Sequence, residues 1–317
     1  MKKIVLGKTG IEVTELCFGV LPIGPLQKNL PVEEAARVLE FALNSGITFF
    51  DTAQMYQTYE PIRRAIKATG IRPVISTKST AADYSGMKAA VEQALSEMEL
   101  EYIDIFLLHA ARATAVTFEE RAGALQCLHD YKAKGIIGAV GISTHDIGVV
   151  GIAAKRDDID IVFPILNKSG TGIIGGTRAE MEAAVESCLD ADKGVFIMKA
   201  LAGGGLINDY KSAIDYVREF AGGRAPIAIG MVAEQEVTMN IGVFDGSLDA
   251  DSLDMSKIPM KQIKILDFLC KGCGNCAENC HSSAVKLISG KAEIDQPKCV
   301  KCGYCAKDCP QFAIRSI

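Results

Sequence analysis

No stretch of these 317 residues approaches the ~20 consecutive apolar residues that a membrane span requires. The opening Met1-Lys2-Lys3-Ile4-Val5-Leu6-Gly7 has no apolar run long enough for a signal peptide. A cytoplasmic protein with no membrane partner is the expectation. Basic stripes are missing too: charges of both signs are mixed along the chain and the formal net charge is only -5, which argues against nucleic acid as a partner. No flavin-binding pattern can be identified. What the chain does hold is 49% hydrophobic and 23% charged residues, ordinary for a protein with a large core. It also holds eleven cysteines, which in a cytosolic chain of this size point to metal or catalysis rather than disulfides, and eight of them lie between Cys270 and Cys309.

Taken in order, Leu6-Gly7-Lys8-Thr9-Gly10 suits a turn between two short apolar runs able to pair as a hairpin. A strand is expected at 16–19, and apolar residues at 32, 35, 36, 39, 42 and 43 mark a helix over 32–44. Ile47-Thr48-Phe49-Phe50 reads as a buried strand that ends at Asp51, with Tyr56 in the loop beyond it. Strand-like segments then recur at 73–77, 103–108, 136–142, 159–163, 195–198 and 227–229. Helix-like stripes run through Met87 to Met98, Phe118 to Leu128, Met181 to Leu189, Tyr210 to Phe220 and Glu234 to Phe244. Alternation of near-continuous apolar strands with helices implies a parallel sheet covered by helices. A (β/α)8 TIM barrel over residues 1–245 is the expected fold class, with a doubly wound sheet as the structural alternative.

Gly170-Thr171-Gly172-Ile173-Ile174-Gly175 matches the dinucleotide fingerprint letter for letter. The next strand, however, ends at Met198-Lys199 instead of the acidic residue that would hold a ribose, so a loop capped by Thr177 is the better reading. Residues 246–259, rich in Asp, Ser and Gly, read as a linker, which leaves 260–317 as a second domain. Cys17 and Cys188 read as small buried hydrophobes, and Cys127 falls off its helix's apolar face.

Cys270, Cys273, Cys276 and Cys280 fit C-x2-C-x2-C-x3-C, and Cys299, Cys302, Cys305 and Cys309 repeat it, with Pro310 following. Three thiolates from one tight loop suit an iron-sulfur cube; tetrahedral zinc is the alternative, and it usually takes paired C-x2-C units with a gap. The pattern resembles that of two-cluster bacterial ferredoxins, small α+β iron-sulfur domains. That resemblance implies two [4Fe-4S] clusters, one held by Cys270, Cys273, Cys276 and Cys309, the other by Cys299, Cys302, Cys305 and Cys280. His281 departs from the pattern, standing where proline is usual.

Asp51 and Tyr56, Lys78, and His109 follow three successive strands, and in a barrel those loops share one rim. A salt bridge of Asp51 with Lys78 beside a hydrogen-bonded histidine is the purely structural alternative. As a site, the four suit carbonyl reduction or its reverse: Tyr56 as general acid, Lys78 beside it to favour its ionised form, Asp51 to hold Lys78, and His109 on the carbonyl oxygen. At these residues the chain resembles the aldo-keto reductase family, through Leu6-Gly7-Lys8-Thr9-Gly10, Phe50-Asp51-Thr52-Ala53 with Tyr56, Ser76-Thr77-Lys78, Leu107-Leu108-His109, Val140-Gly141-Ile142-Ser143 and Glu234-Gln235 with Asn240.

The resemblance implies the barrel, the Asp-Tyr-Lys-His tetrad at Asp51, Tyr56, Lys78 and His109, and a nicotinamide cofactor extended over the rim. Its contacts would fall on Ser143, Asn167, Lys199, Leu201, Gly203, Gly204, Glu236 and Asn240. Thr144, Phe163 and Met198 replace residues the family normally uses. Glu236 and Gly230 replace the cations that hold a 2′-phosphate, which disfavours NADP(H), leaves NAD(H) open and keeps a flavin or other redox cofactor in play. The expected function is an iron-sulfur oxidoreductase interconverting a small-molecule carbonyl and alcohol, with electrons passed through two clusters and a redox protein as partner. An NADH-dependent reductase with structural clusters, and a non-catalytic electron carrier or docking protein, are the alternatives.

Overall fold

The computed structural model describes residues 1–248, 262–280, 282–299, 304–307 and 309–316. Most of the expected linker, 246–259, lies outside the described residues, as do His281 and Cys302. The chain starts with the expected antiparallel hairpin, β1 (Lys3–Val5) and β2 (Glu12–Thr14). Nine short, mostly buried strands follow: β3 (Leu16–Gly19), β4 (Phe49–Asp51), β5 (Val74–Ser79), β6 (Ile103–Ala110), β7 (Ile137–Thr144), β8 (Ile161–Pro164), β9 (Gly194–Val195), β10 (Ile197–Met198) and β11 (Ile227–Gly230). They pair in parallel in the order β10-β11-β3-β4-β5-β6-β7-β8-β9.

The two ends of that order, β9 and β10, are halves of one stretch interrupted at Phe196, so the sheet closes into the expected (β/α)8 barrel. The interruption corrects the reading of 195–198 as one continuous strand. The Phe196 ring stacks on Phe163 at 3.8 Å and stands edge-on to Phe49 at 5.1 Å, while its N–H still donates to the Val162 carbonyl. Gly141 in β7 lets β8 come close, because a Cβ there would overlap the Ile161 carbonyl.

Helices on the outside begin at side-chain caps that sequence makes legible. Asp83 accepts from Gly86 N–H, Asp146 from Val149 N–H, and Thr177 forms a capping box with Glu180, so the glycine-rich 170–175 segment is a loop ahead of a helix. Helix Val32–Asn44 buries Ala35, Ala36, Val38, Leu39, Ala42 and Leu43, as its spacing predicts.

Two helices escaped the sequence pattern. Tyr59–Thr69 carries Pro61 in its first turn and buries Tyr59, Ile62 and Ala65 on one face, a short stripe that opens on a proline, whereas Ile147–Ala154 is apolar nearly all round and has no stripe. The expected helix over 118–128 is broken at Arg121 into Thr117–Glu120 and Ala122–Ala133. The buried Arg121 guanidinium donates to the carbonyls of Ser79, Ala81 and His109 and so ties together the carboxyl ends of β5 and β6. Cys127 corrects another expectation: it is fully buried alongside Leu128, as are Cys17 and Cys188 at their own positions.

The C-terminal residues form two antiparallel pairs, β12 (Ile263–Ile265) with β15 (Ile314–Ser316) and β13 (Val285–Ile288) with β14 (Lys291–Ile294). Short helices, Asn275–Glu278 and Tyr304–Lys307, lie within the two cysteine runs. The core here is thin, built from Ile263, Val285, Ala292, Ala306, Ala313 and Ile314 around the cysteines themselves. So small a core stabilises little by apolar burial, and domains of this size usually depend on an additional cross-link or metal group.

Candidate active site

A cavity of about 210 Å³ opens at the carboxyl ends of the barrel strands. Gly19 of β3, Asp51 of β4, Lys78 of β5, His109 of β6, Ser143 of β7, Phe163 of β8, Met198 of β10 and Gly230 of β11 all reach it, and Tyr56 overhangs from the loop after β4. The geometry brings the four expected polar groups together. Lys78 Nζ donates to both Asp51 oxygens, at 2.7 and 2.8 Å, and to the Thr52 carbonyl at 2.7 Å. It also lies 5.0 Å from the Tyr56 ring centroid and 5.2 Å from that of Phe163. The rings of Tyr56 and His109 stand edge-on, 5.8 Å apart, and His109 Nδ1 is buried with no hydrogen-bond partner among the described residues.

Burial sets the protonation of the group. It works against the Lys78 charge, yet Asp51 and Tyr56 more than offset it and the ammonium titrates above its ordinary range. For Tyr56 burial wins: the phenol is pushed above its usual value, with Lys78 opposing and Asp51 adding. Lys78 favours the ionised form, as expected, but burial outweighs it and the gap to neutrality widens instead of narrowing. The phenol keeps its proton across the neutral range, and Lys78 is placed to stabilise the phenolate left once that proton is given. His109 is held well below the usual imidazole range by burial and by Lys78, Lys199 and Arg121, so the ring is neutral.

The expected cofactor contacts divide. Ser143, Lys199, Leu201, Gly203 and Gly204 line the cavity. Asn167, Glu236 and Asn240 do not: Asn167 bonds Ser169 and Thr171 of its own loop, Glu236 accepts from Val232 N–H at 2.7 Å, and Asn240 is held by Tyr210 and the Glu236 carbonyl. The Gly204 and Gly205 N–H groups are spent on the carbonyls of Leu201 and Ala202 and are not free for a pyrophosphate. Phe163 and Met198 line the cavity, whereas Thr144 is turned back to accept from Asp146 N–H.

Sequence reasoning missed the tail's entry into the site. Arg315 of β15 is buried and lines the same cavity as Tyr56 and Lys78. Phe312 packs in the barrel's own core cluster, edge-on to His145 at 5.8 Å and under Lys199 Nζ at 4.2 Å. It rests against Gly172 and Gly203, and a Cβ at either would collide with its ring. Two small residues facing one aromatic, far apart in sequence, leave no local signal; only the glycines themselves hinted at a close approach.

In the tail, Cys270, Cys273, Cys276 and Cys309 line one small cavity with Gly274 and Ala313. Sulfur acceptors are already supplied with donors: Ala292 N–H to Cys270 Sγ at 3.4 Å, Ala313 N–H to Cys309 Sγ at 3.3 Å and Ala284 N–H to Cys280 Sγ at 3.2 Å. The last two share an i to i+4 spacing, one from each cysteine run. Among the described residues no three His, Cys, Asp or Glu side chains gather tightly enough for a single ion. A four-iron cube holds its thiolates wider apart than one ion does, so four soft donors around one cavity, three of them buried and Cys273 exposed, fit such a cluster. Cys305 belongs to the same small core, with Cys280 and Cys299 packed against it, and Cys302 lies outside the described residues.

A barrel with its polar constellation at the strand ends, followed by a cysteine-rich iron-sulfur module, defines the class, and comparisons with known proteins agree. Residues 15–222 match the model of the aldo/keto reductase family and residues 292–315 that of a 4Fe-4S binding domain. The chain belongs to the aldo/keto reductase family and carries a 4Fe-4S binding domain at its C-terminal end. A relative from Glycine max is 27% identical over 205 residues, 55% of this chain and 58% of that one. The methylglyoxal reductase of Escherichia coli O157:H7 is 22% identical over 233 residues, 70% of this chain and 82% of that one.

This chain spans 58, 54 and 66% of the lengths of relatives from soybean, Bacillus subtilis and Arabidopsis thaliana. Among solved structures, an aldo-keto reductase from Bacillus halodurans superposes with a TM-score of 0.63 at 19% identity, over 80% of this chain and 95% of that one. The Bombyx mori aldo-keto reductase in complex with NADP gives 0.59 at 17% identity, over 79% and 90%. These likenesses extend to the fold. No helix among the described residues is long and apolar enough to cross a membrane.

Proposed function

We propose that this protein is an oxidoreductase that interconverts a small carbonyl compound and its alcohol at Asp51, Tyr56, Lys78 and His109, with electrons supplied through the C-terminal iron-sulfur domain. One observation carries the reading: a side chain of that domain, Arg315, lines the same cavity as Tyr56 and Lys78. Carbonyl reduction takes up two electrons and two protons. Tyr56 gives one proton to the oxygen, which it can do despite its raised pKa because an alkoxide is a far stronger base than a phenolate, and the second proton, for the carbonyl carbon, comes from water entering the open mouth of the cavity. Lys78, anchored by Asp51, offsets the charge left on the phenolate, and neutral His109 donates a hydrogen bond to the carbonyl oxygen.

A bound 4Fe-4S cluster supplies electrons one at a time. Cys270, Cys273, Cys276 and Cys309 would hold the cluster nearer the barrel, since Arg315 lies two residues past Ala313, whose N–H bonds Cys309. Cys299, Cys302, Cys305 and Cys280 would hold a second. Domains of 1–245 and 260–317 joined by 246–259 fit this division of labour, and an external redox protein would recharge the clusters.

The residues fit a nicotinamide dinucleotide poorly. Gly204 and Gly205 N–H groups are committed, Glu236 and Asn240 are turned away from the cavity, and Phe312 covers Gly203. Ser143 at the cavity is what favours the second reading, an NADH-dependent reductase whose clusters are structural. Anaerobic purification followed by iron determination and NADH titration separates the two. The proposal expects about eight irons per chain, as two cubes require, and no saturable NADH fluorescence change. Tight NADH binding, with turnover that survives reduction of the iron content, would establish the second reading instead.

A further inference from the structure

The cavity is lined by three cationic side chains, Lys78, Lys199 and Arg315, and by one acid, Asp51, whose oxygens are both taken by Lys78. Two cations are left over. Arg315 is 5% exposed, and its Nη1 donates to the Ile314 carbonyl. Lys199 lies 3.0 Å from His145 Nε2 and over the Phe312 ring. Among the described residues no carboxylate is within ion-pair distance of either. Lys199 also has φ +62°, a left-handed conformation that a lysine adopts only at a cost. Burial works against both charges; at Lys199 the neighbouring Arg315 and Lys78 add to it, whereas at Arg315 Cys309 and Tyr56 oppose it. Buried cations without a counter-charge are expensive unless a ligand supplies it.

We infer that Lys199 and Arg315 form an oxyanion seat at the seam between barrel and iron-sulfur domain, and that it holds the carboxylate of a small oxo acid whose carbonyl faces Tyr56. The guanidinium fork matches a carboxylate with two parallel hydrogen bonds, and Lys199, which like Arg315 packs over the Phe312 ring, adds a point charge. A carboxylate suits the seat better than a pyrophosphate, because the adjacent backbone amides of Gly204 and Gly205 are already bonded and Phe312 rests on Gly203. One residue from each domain makes the seat, so the substrate would be read by both. The substrate class rests on the reading of Tyr56 as proton donor; the seat does not, and it is measured without turnover.

The test is anaerobic calorimetric titration of the full-length, iron-loaded protein with oxalate and, separately, with pyrophosphate. Oxalate is expected to bind, with affinity reduced about 10- to 100-fold in Arg315→Gln and in Lys199→Gln, and partly restored in Arg315→Lys. Iron content reports whether the Arg315 variant has kept its domain, and Lys199→Gln probes the seat from the barrel side alone. Pyrophosphate binding that alone responds to these substitutions would overturn the oxo-acid assignment and give the seat to a dinucleotide. Oxalate affinity unchanged in both variants, or no anion binding at all, would overturn the seat itself.

Discussion

Phe312 of the iron-sulfur domain occupies the space that a side chain at Gly172 of the barrel would need. The same ring lies under Lys199 and beside His145, so the tail is seated in the mouth of the barrel and forms part of its wall. Gly172→Ala should therefore unseat it. The new methyl overlaps the ring, and Gly172 has φ +85°, where alanine is strained. A cost of about 1–3 kcal/mol is expected for overpacking of this kind. Limited proteolysis should show faster cleavage between the domains, with iron content unchanged; a cleavage rate equal to that of the parent would mean that the contact does not hold the tail.

Lys78 and Asp51 make a second test, because each is buried and each is the other's partner. Lys78→Met leaves a carboxylate buried with no counter-charge, which typically costs about 3–5 kcal/mol. Adding Asp51→Asn removes that charge and should recover much of the loss in denaturant unfolding. If the double variant is as unstable as the sum of the two single variants, the pair is not coupled in the way its geometry implies.

Acid sensitivity follows from the buried histidines. His145 is held well below the ordinary imidazole range by burial and by Lys199 and Arg315, whereas in the unfolded chain it titrates near 6.5. The unfolded state therefore binds the extra proton first. Stability from this group is complete above about pH 6.5 and declines below it, approaching about 1.4 kcal/mol per pH unit. Unfolding measured at pH 6.5 and 5.5 should show a smaller loss in His145→Gln, by about 1 kcal/mol; identical losses would contradict a neutral buried ring.

Tyr56→Phe keeps the ring and removes the proton. Turnover of any carbonyl compound the parent reduces should fall by about 10²–10⁴, with the visible absorbance of the iron-sulfur centre unchanged. Retained turnover would remove Tyr56 from the chemistry.

The architecture was legible in the sequence because it rests on repetition. Alternating apolar strands and helical stripes announced the barrel, and the rim position of Asp51, Lys78 and His109 followed from each standing at a strand's end. The cysteine spacing announced the tail in the same way. Contacts between the two units were not legible, since Phe312 against Gly172 or Arg315 beside Tyr56 depends on how distant segments dock. The net shift of Tyr56 is illegible for a related reason: the lowering effect of Lys78 can be inferred from rim positions, but the depth of burial that outweighs it cannot. Asn240 matched a family motif and Glu236 stood where the family has a cation, yet both side chains are turned to bond their own helix and loop.

Mixing decides the central claim. Protein whose iron-sulfur centres have been reduced and freed of excess reductant is mixed anaerobically with an oxo acid in a stopped-flow instrument, and the visible absorbance of the oxidised centres is followed. Recovery of that absorbance in step with alcohol formation, abolished by Tyr56→Phe, is the predicted result. Centres that stay reduced while NADH alone supports the reaction would contradict it.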